Sequence, residues 1–234
     1  MKFLHYVHLG LIAIFAAINA LMLYLFLMKL PYDINVFFAS LDHWDEQQPR
    51  IGVVSAIVLT AAMAGGWYAW RMPEEWKYRL LYFRWFFPHP AFNAFLTTRR
   101  QPFESRALLS AFPGVKDAGF KPSIQIETWK QCLSRHAAVP VVINTRLHGD
   151  MLRDLYVLSL FFLVLFILGY LSLIGVPFQF VGIYLFVFGA QFLFLLLSAR
   201  RVGYKLVDNV LAVSLGIDDK DEGHGSGRGG RRVI

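Results

Sequence analysis

Apolar positions along this chain gather into four long uncharged blocks, and the segments between them hold nearly every charge. The first block runs from Phe3 to Met28, with only His5 and His8 near its start. As a helix it would be about 39 Å long, enough to cross a hydrocarbon core of ~30 Å with tilt. Its apolar core is longer than the about 7–15 residues of a signal-peptide core, and no small-x-small cleavage site follows, so it reads as a retained anchor. Ile51 to Trp70 forms a second block, shorter and richer in small residues. Leu155 to Ala199 is uncharged throughout and would measure roughly 67 Å as one helix, too long for a single crossing. The break at Gly175-Val176-Pro177 divides it into two spans of about bilayer length.

The fold class this pattern predicts is an all-α membrane protein, with four transmembrane helices arranged as two helical hairpins. A mostly helical cytoplasmic domain sits between spans two and three. Residues 1–70 hold spans one and two with an acidic outer loop at 29–50, and residues 71–154 form the basic, aromatic-rich insert. Residues 155–199 form the second hairpin, 200–222 a juxtamembrane helix, and 223–234 a Gly/Arg tail that cannot bury a core.

Only 17% of the 234 residues are charged, against about a quarter in soluble domains. The formal net charge of +7 is unevenly spread. Residues 29–50 carry a net −2, residues 71–154 a net +6, and residues 200–234 a net +2. Because Lys and Arg near span ends favour the cytoplasmic side, both termini and the insert are expected there, in a bacterial inner membrane. The single Cys132 rules out an internal disulfide and any cysteine cluster.

After the first turn of span one, the four blocks contain no ionisable group, which disfavours a proton-coupled carrier. Asn19 and Gln191 are each placed to hydrogen-bond between helices, the other reading being a polar pore lining in an oligomer. Ala61, Gly65 and Ala69 lie four apart, with Gly66 beside them, on a strip where helix backbones can approach closely. That strip suits packing of span one on span two or a contact between copies of the chain. His5 and His8 share a helix face, but no third ligand is near, so neither a metal nor a cofactor is expected.

In the insert, Pro73, Glu74 and Glu75 open a helix, and Pro88 closes the run that ends at Phe87. Its alternating aromatics and cations suit the lipid headgroup layer: Trp76, Lys77, Arg79, Arg84 and Trp85 are the expected interfacial contacts. Nucleic acid would use the same residue types, but proximity to the membrane favours lipid. Arg99, Arg100 and Arg106 form a candidate anionic-ligand patch. Phe92 to Phe112 reads as short helices broken at Pro102 and ended by Pro113-Gly114, and Val115 to Pro122 as a loop. Ser123 is placed to cap a helix reaching His136. Pro140 to Ile143 leans to strand or buried connector, and Asp150 is placed to cap span three. Arg200 to Gly216 has helical apolar spacing and either prolongs span four or lies along the surface.

No phosphate loop, HExxH, GxSxG or paired-carboxylate motif is present, and the spacing of Cys132, His136 and His148 does not define a nucleophile pair. Three fragments, His89-Pro90-Ala91-Phe92, Arg153-Asp154 and Asn209-Val210-Leu211-Ala212, resemble an uncharacterised family of bacterial four-span inner-membrane proteins. The resemblance implies two spans, a basic cytoplasmic insert and two further spans, and it brings no activity with it.

The sequence thus names no reaction. It is consistent with a non-enzymatic membrane anchor, sensor or scaffold whose insert meets a lipid, nucleotide or protein. A homo-oligomer or a membrane or cytoplasmic protein would be the partner. The alternative is an oligomeric channel or membrane-disrupting effector.

Overall fold

The computed structural model describes residues 2–30, 35, 38–39, 44–96, 101, 103–172 and 178–216. Among these it is all-helical. Helix α1 spans Lys2–Leu27, α2 Trp44–Arg71 and α3 Glu74–Tyr82. A 3₁₀ turn at Pro90–Asn93 precedes α4 (Ser105–Ala111), α5 (Pro113–Asp117) and α6 (Pro122–Arg135). Two long helices close the chain, α7 at Pro140–Ser172 and α8 at Phe178–Ser214. Helices α1, α2, α7 and α8 are each long and apolar enough to cross a membrane. The break at Gly175-Val176-Pro177, the outer loop around Asp42 and the tail after Gly216 lie outside the described residues.

The chain divides into two compact units. The first joins Met1–Pro88 to Leu147–Val202. Its interior is filled by rings. Phe26 meets Phe166 at 4.7 Å and Tyr184 at 5.4 Å between centroids, and Phe166 stacks on Phe188 at 5.2 Å. The exterior carries Ile14, Ile57, Met63, Leu168, Phe186 and Phe194 exposed, an apolar surface too extensive to face water and suited to lipid.

The second unit joins His89–Arg146 to Gly203–Ile234. Its core gathers Phe95, Leu108, Trp129, Val142, Val210 and Leu211. Gln125, fully buried there, accepts from the Phe95 backbone N–H at 3.0 Å and donates to the Phe120 carbonyl at 2.7 Å. Asn209 donates to Thr145 at 2.9 Å and so joins the end of α8 to the start of α7.

Several local expectations are corrected. The segment Pro140–Ile143 is the first turn of α7, because Pro140 fits a helix N-terminus and Val142 buries in the core. Asp150 therefore sits inside that helix and pairs with Arg153 instead of capping. Pro113 opens α5 where a stop was expected, and the turn falls later, at Gly119 and Phe120, both with positive φ. Ser123 lies inside α6, where Lys121 holds the cap position without a side-chain hydrogen bond. Arg200 to Ser214 continues α8 without interruption.

Candidate functional site

Helix α3 is amphipathic and short, and its placement within the first unit depends on side chains from two long helices, α7 and α8. Glu74 and Glu75 occupy its first turn, where the helix dipole favours negative charge. The helix stops at Tyr82, five residues before the expected end at Phe87, because Phe83 takes the left-handed conformation with φ 51°. For a non-glycine residue that geometry costs roughly 1–2 kcal/mol. The last carbonyls of a helix need outside donors, and here they are supplied. Tyr156 of α7 donates its hydroxyl to the Leu80 carbonyl at 3.0 Å, and Arg200 of α8 donates Nε to the Leu81 carbonyl at 2.7 Å. The same guanidinium lies 5.0 Å from the Phe83 ring centroid.

One turn into α3, Lys77 forms a buried ion pair with Asp154 of α7, each residue only 7% exposed. The other Asp154 oxygen, Oδ2, lies 3.3 Å from His8 Nε2 on α1. A single carboxylate thus receives a lysine and an imidazole from two other helices. Beside it, Arg153 pairs with Asp150 and lies 4.5 Å from the centroid of the Tyr78 ring. Burial pushes the Tyr78 phenol above the ordinary 10.0, while the Arg153 guanidinium pulls the other way. Deeper in the bundle, Gln191 of α8 donates to Asn19 Oδ1 of α1 at 2.8 Å and lies 3.4 Å from the Ser159 hydroxyl of α7. Asn19 in turn donates to the Phe15 carbonyl at 2.9 Å.

These contacts redistribute the residues singled out from sequence. Lys77 is a buried partner of Asp154 and no headgroup contact. Arg79 is half-buried, 3.8 Å from Glu75 and 4.9 Å from the Trp76 ring centroid. Arg84 is also half-buried. Trp76 is exposed, and Trp85, 71% exposed, meets it edge to face at 6.2 Å. Phe86 beside them is 86% exposed. Arg106 is exposed on α4, whereas Arg99 and Arg100 lie outside the described residues.

On α2 the small-residue strip has two faces. A Cβ on Gly65 would stand 2.7 Å from the Phe161 ring and 3.1 Å from Leu158, so this glycine admits α7. Ala69 is fully buried and Ala61 half-buried. Gly66 faces the other way, beside α1, with nothing within 4 Å of an added Cβ.

Chemically, the centre is an arrangement of paired charges and capped carbonyls tying α1, α3, α7 and α8 together. No hydroxyl or thiol nucleophile touches the Asp154 carboxylate in these contacts. Among the described residues, no group of three or more His, Cys, Asp and Glu side chains gathers to hold a metal. Cys132 is buried in the core of the second unit, and His136 follows the end of α6.

The class defined is a helical protein with four membrane-length helices and a short helix held to two of them by one ion pair and two side-chain hydrogen bonds. The chain matches no family model, no curated protein and no solved structure.

Proposed function

We propose that this protein is a non-enzymatic integral module of a bacterial inner membrane, an anchor or scaffold. In this reading its basic segment lies on the cytoplasmic side and meets a lipid, nucleotide or protein partner. The observation that carries the reading is the clamping of α3. Lys77–Asp154, Tyr156–Leu80 and Arg200–Leu81 tie this helix into the first unit and leave Trp76, Trp85 and Phe86 exposed. Exposed aromatic rings beside half-buried cations suit the headgroup layer, where the rings are half immersed and the cations meet phosphate. The ring-filled interior of the bundle supports a packed anchor over a conducting monomer.

The test couples two measurements on protein extracted in mild detergent and then reconstituted. Its mass and co-purifying proteins are determined, and release of ions from loaded liposomes is followed. A stable complex with another protein and intact liposomes support the scaffold. A closed homo-oligomer that empties the liposomes would replace it with the channel or effector reading.

A further inference from the structure

A groove of about 690 Å³ runs along the seam between α1 and α2, and both walls belong to membrane-length helices. From α1 it is lined by Ala13, Ala16 and Ala20, and from α2 by Ser55, Ala62 and Gly66. Its lining on α1 extends from Leu9 to Tyr24, a length of about 22 Å at helical rise. Helices α1 and α2 already pack against each other, with Cα atoms within 8 Å across the seam, so no further helix can lie between them. A single extended hydrocarbon chain, with carbon contacts at about 3.5–4.0 Å, is thin enough to lie along the seam.

The polarity of the ends agrees with that occupant. At one end stand Trp67 and Trp70, both exposed, and Arg71 follows them, exposed in the last turn of α2. Tryptophan and arginine together are the usual furniture of the headgroup level. Exposed Glu74 and Glu75 come a few residues later on α3, so the local charge does not select a strongly anionic lipid. From the tryptophan end the walls continue inward as small and aliphatic side chains. The absence of larger side chains at Ala13, Ala16, Ala62 and Gly66 is what leaves the space.

We infer that this seam is a binding site for one acyl chain of a membrane phospholipid, with the phosphodiester at the Trp70–Arg71 end. The chain is held on two sides by protein, so it exchanges more slowly than lipid on the exposed faces and survives mild extraction.

The test uses the full chain in vesicles of phosphatidylethanolamine and phosphatidylglycerol, doped with phosphatidylethanolamine bearing a diazirine on its acyl chain. Photolysis is expected to label peptides from α1 and α2 within the groove, saturably, and intact mass in mild detergent is expected to show one retained phospholipid. Gly66→Leu, whose side chain enters the open groove and takes the space of the acyl chain, should abolish most of this labelling. Gly10→Leu, on an exposed α1 position outside the lining and with nothing within 4 Å, should leave it unchanged. Equal labelling of Gly66→Leu and the unaltered protein would overturn the inference. So would labelling spread evenly over all lipid-facing helices. Loss of a dimer instead of a lipid in Gly66→Leu would assign the seam to a second copy.

Discussion

Lys77 and Asp154 stand 77 residues apart in the chain and form a buried ion pair that fixes α3 to α7. The pair gains a third helix through His8, 3.3 Å from the second carboxylate oxygen. Removing one member of a buried pair is costly mainly because the other charge is left without compensation. Lys77→Met is therefore expected to destabilise the protein by about 3–5 kcal/mol. The double variant Lys77→Met with Asp154→Leu should recover most of that loss, since no lone charge remains. Denaturant unfolding in detergent with a fluorescence readout measures both, and a double variant as unstable as the single one would refute the clamp.

Gln191 and Asn19 offer a smaller test within the bundle. Their hydrogen bond joins α8 to α1, and interhelical bonds of this kind contribute about 0.6–2 kcal/mol. A double-mutant cycle with Asn19→Leu and Gln191→Leu should return a coupling in that range. Additive effects would show that the two side chains act independently.

Gly65 and Gly66 are adjacent, yet their substitution should have opposite consequences. Gly65→Leu collides with Phe161 and Leu158 of α7, and overpacking of this sort costs about 1–3 kcal/mol. Gly66→Leu meets no neighbour within 4 Å and should leave the unfolding midpoint unchanged or slightly raised. Equal destabilisation by both would reverse the assignment of the two faces.

Tyr78 predicts a pH dependence. Its folded-state value is raised above 10.0 by burial, so the folded protein holds the phenolic proton more tightly than the unfolded chain does. Its contribution to stability is complete below the unfolded value and is lost as pH rises through the folded one. Stability should fall above pH 10.0, and Tyr78→Phe should remove that component of the slope. An unchanged slope in the variant would assign the loss to other groups.

Sidedness needs an accessible probe, and Cys132 is buried. Ala137 is exposed just after α6. In a Cys132→Ser background, Ala137→Cys is expected to react with an impermeant maleimide only after bacterial cells expressing the protein are opened. Reaction in intact spheroplasts would invert the expected orientation.

The long apolar blocks made the four membrane-length helices legible before any coordinates, because a run of uncharged residues that long has few other stable environments. The helix opening at Pro73–Glu75 and the helical spacing after Arg200 were equally local signals. Helix ends were less legible. The stop of α3 at Tyr82 depends on donors from Tyr156 and Arg200, whose distance in sequence conceals their role. The same reason hid the candidate site. His8, Lys77 and Asp154 were each visible as residues, but the meeting of one carboxylate with a remote lysine and a remote imidazole is a property of helix packing. Lys77 in particular looked like its exposed neighbours, since composition cannot say which face of a short helix turns inward.

By itself, then, the sequence determined which segments demand an apolar environment, through the cost of placing charge and bare backbone in hydrocarbon. Only the tertiary structure decided that Gly65 would admit Phe161 while Gly66 would border an open groove. Neighbouring residues on a helix point about 100° apart, and what each one meets depends on helices that arrive from elsewhere in the chain.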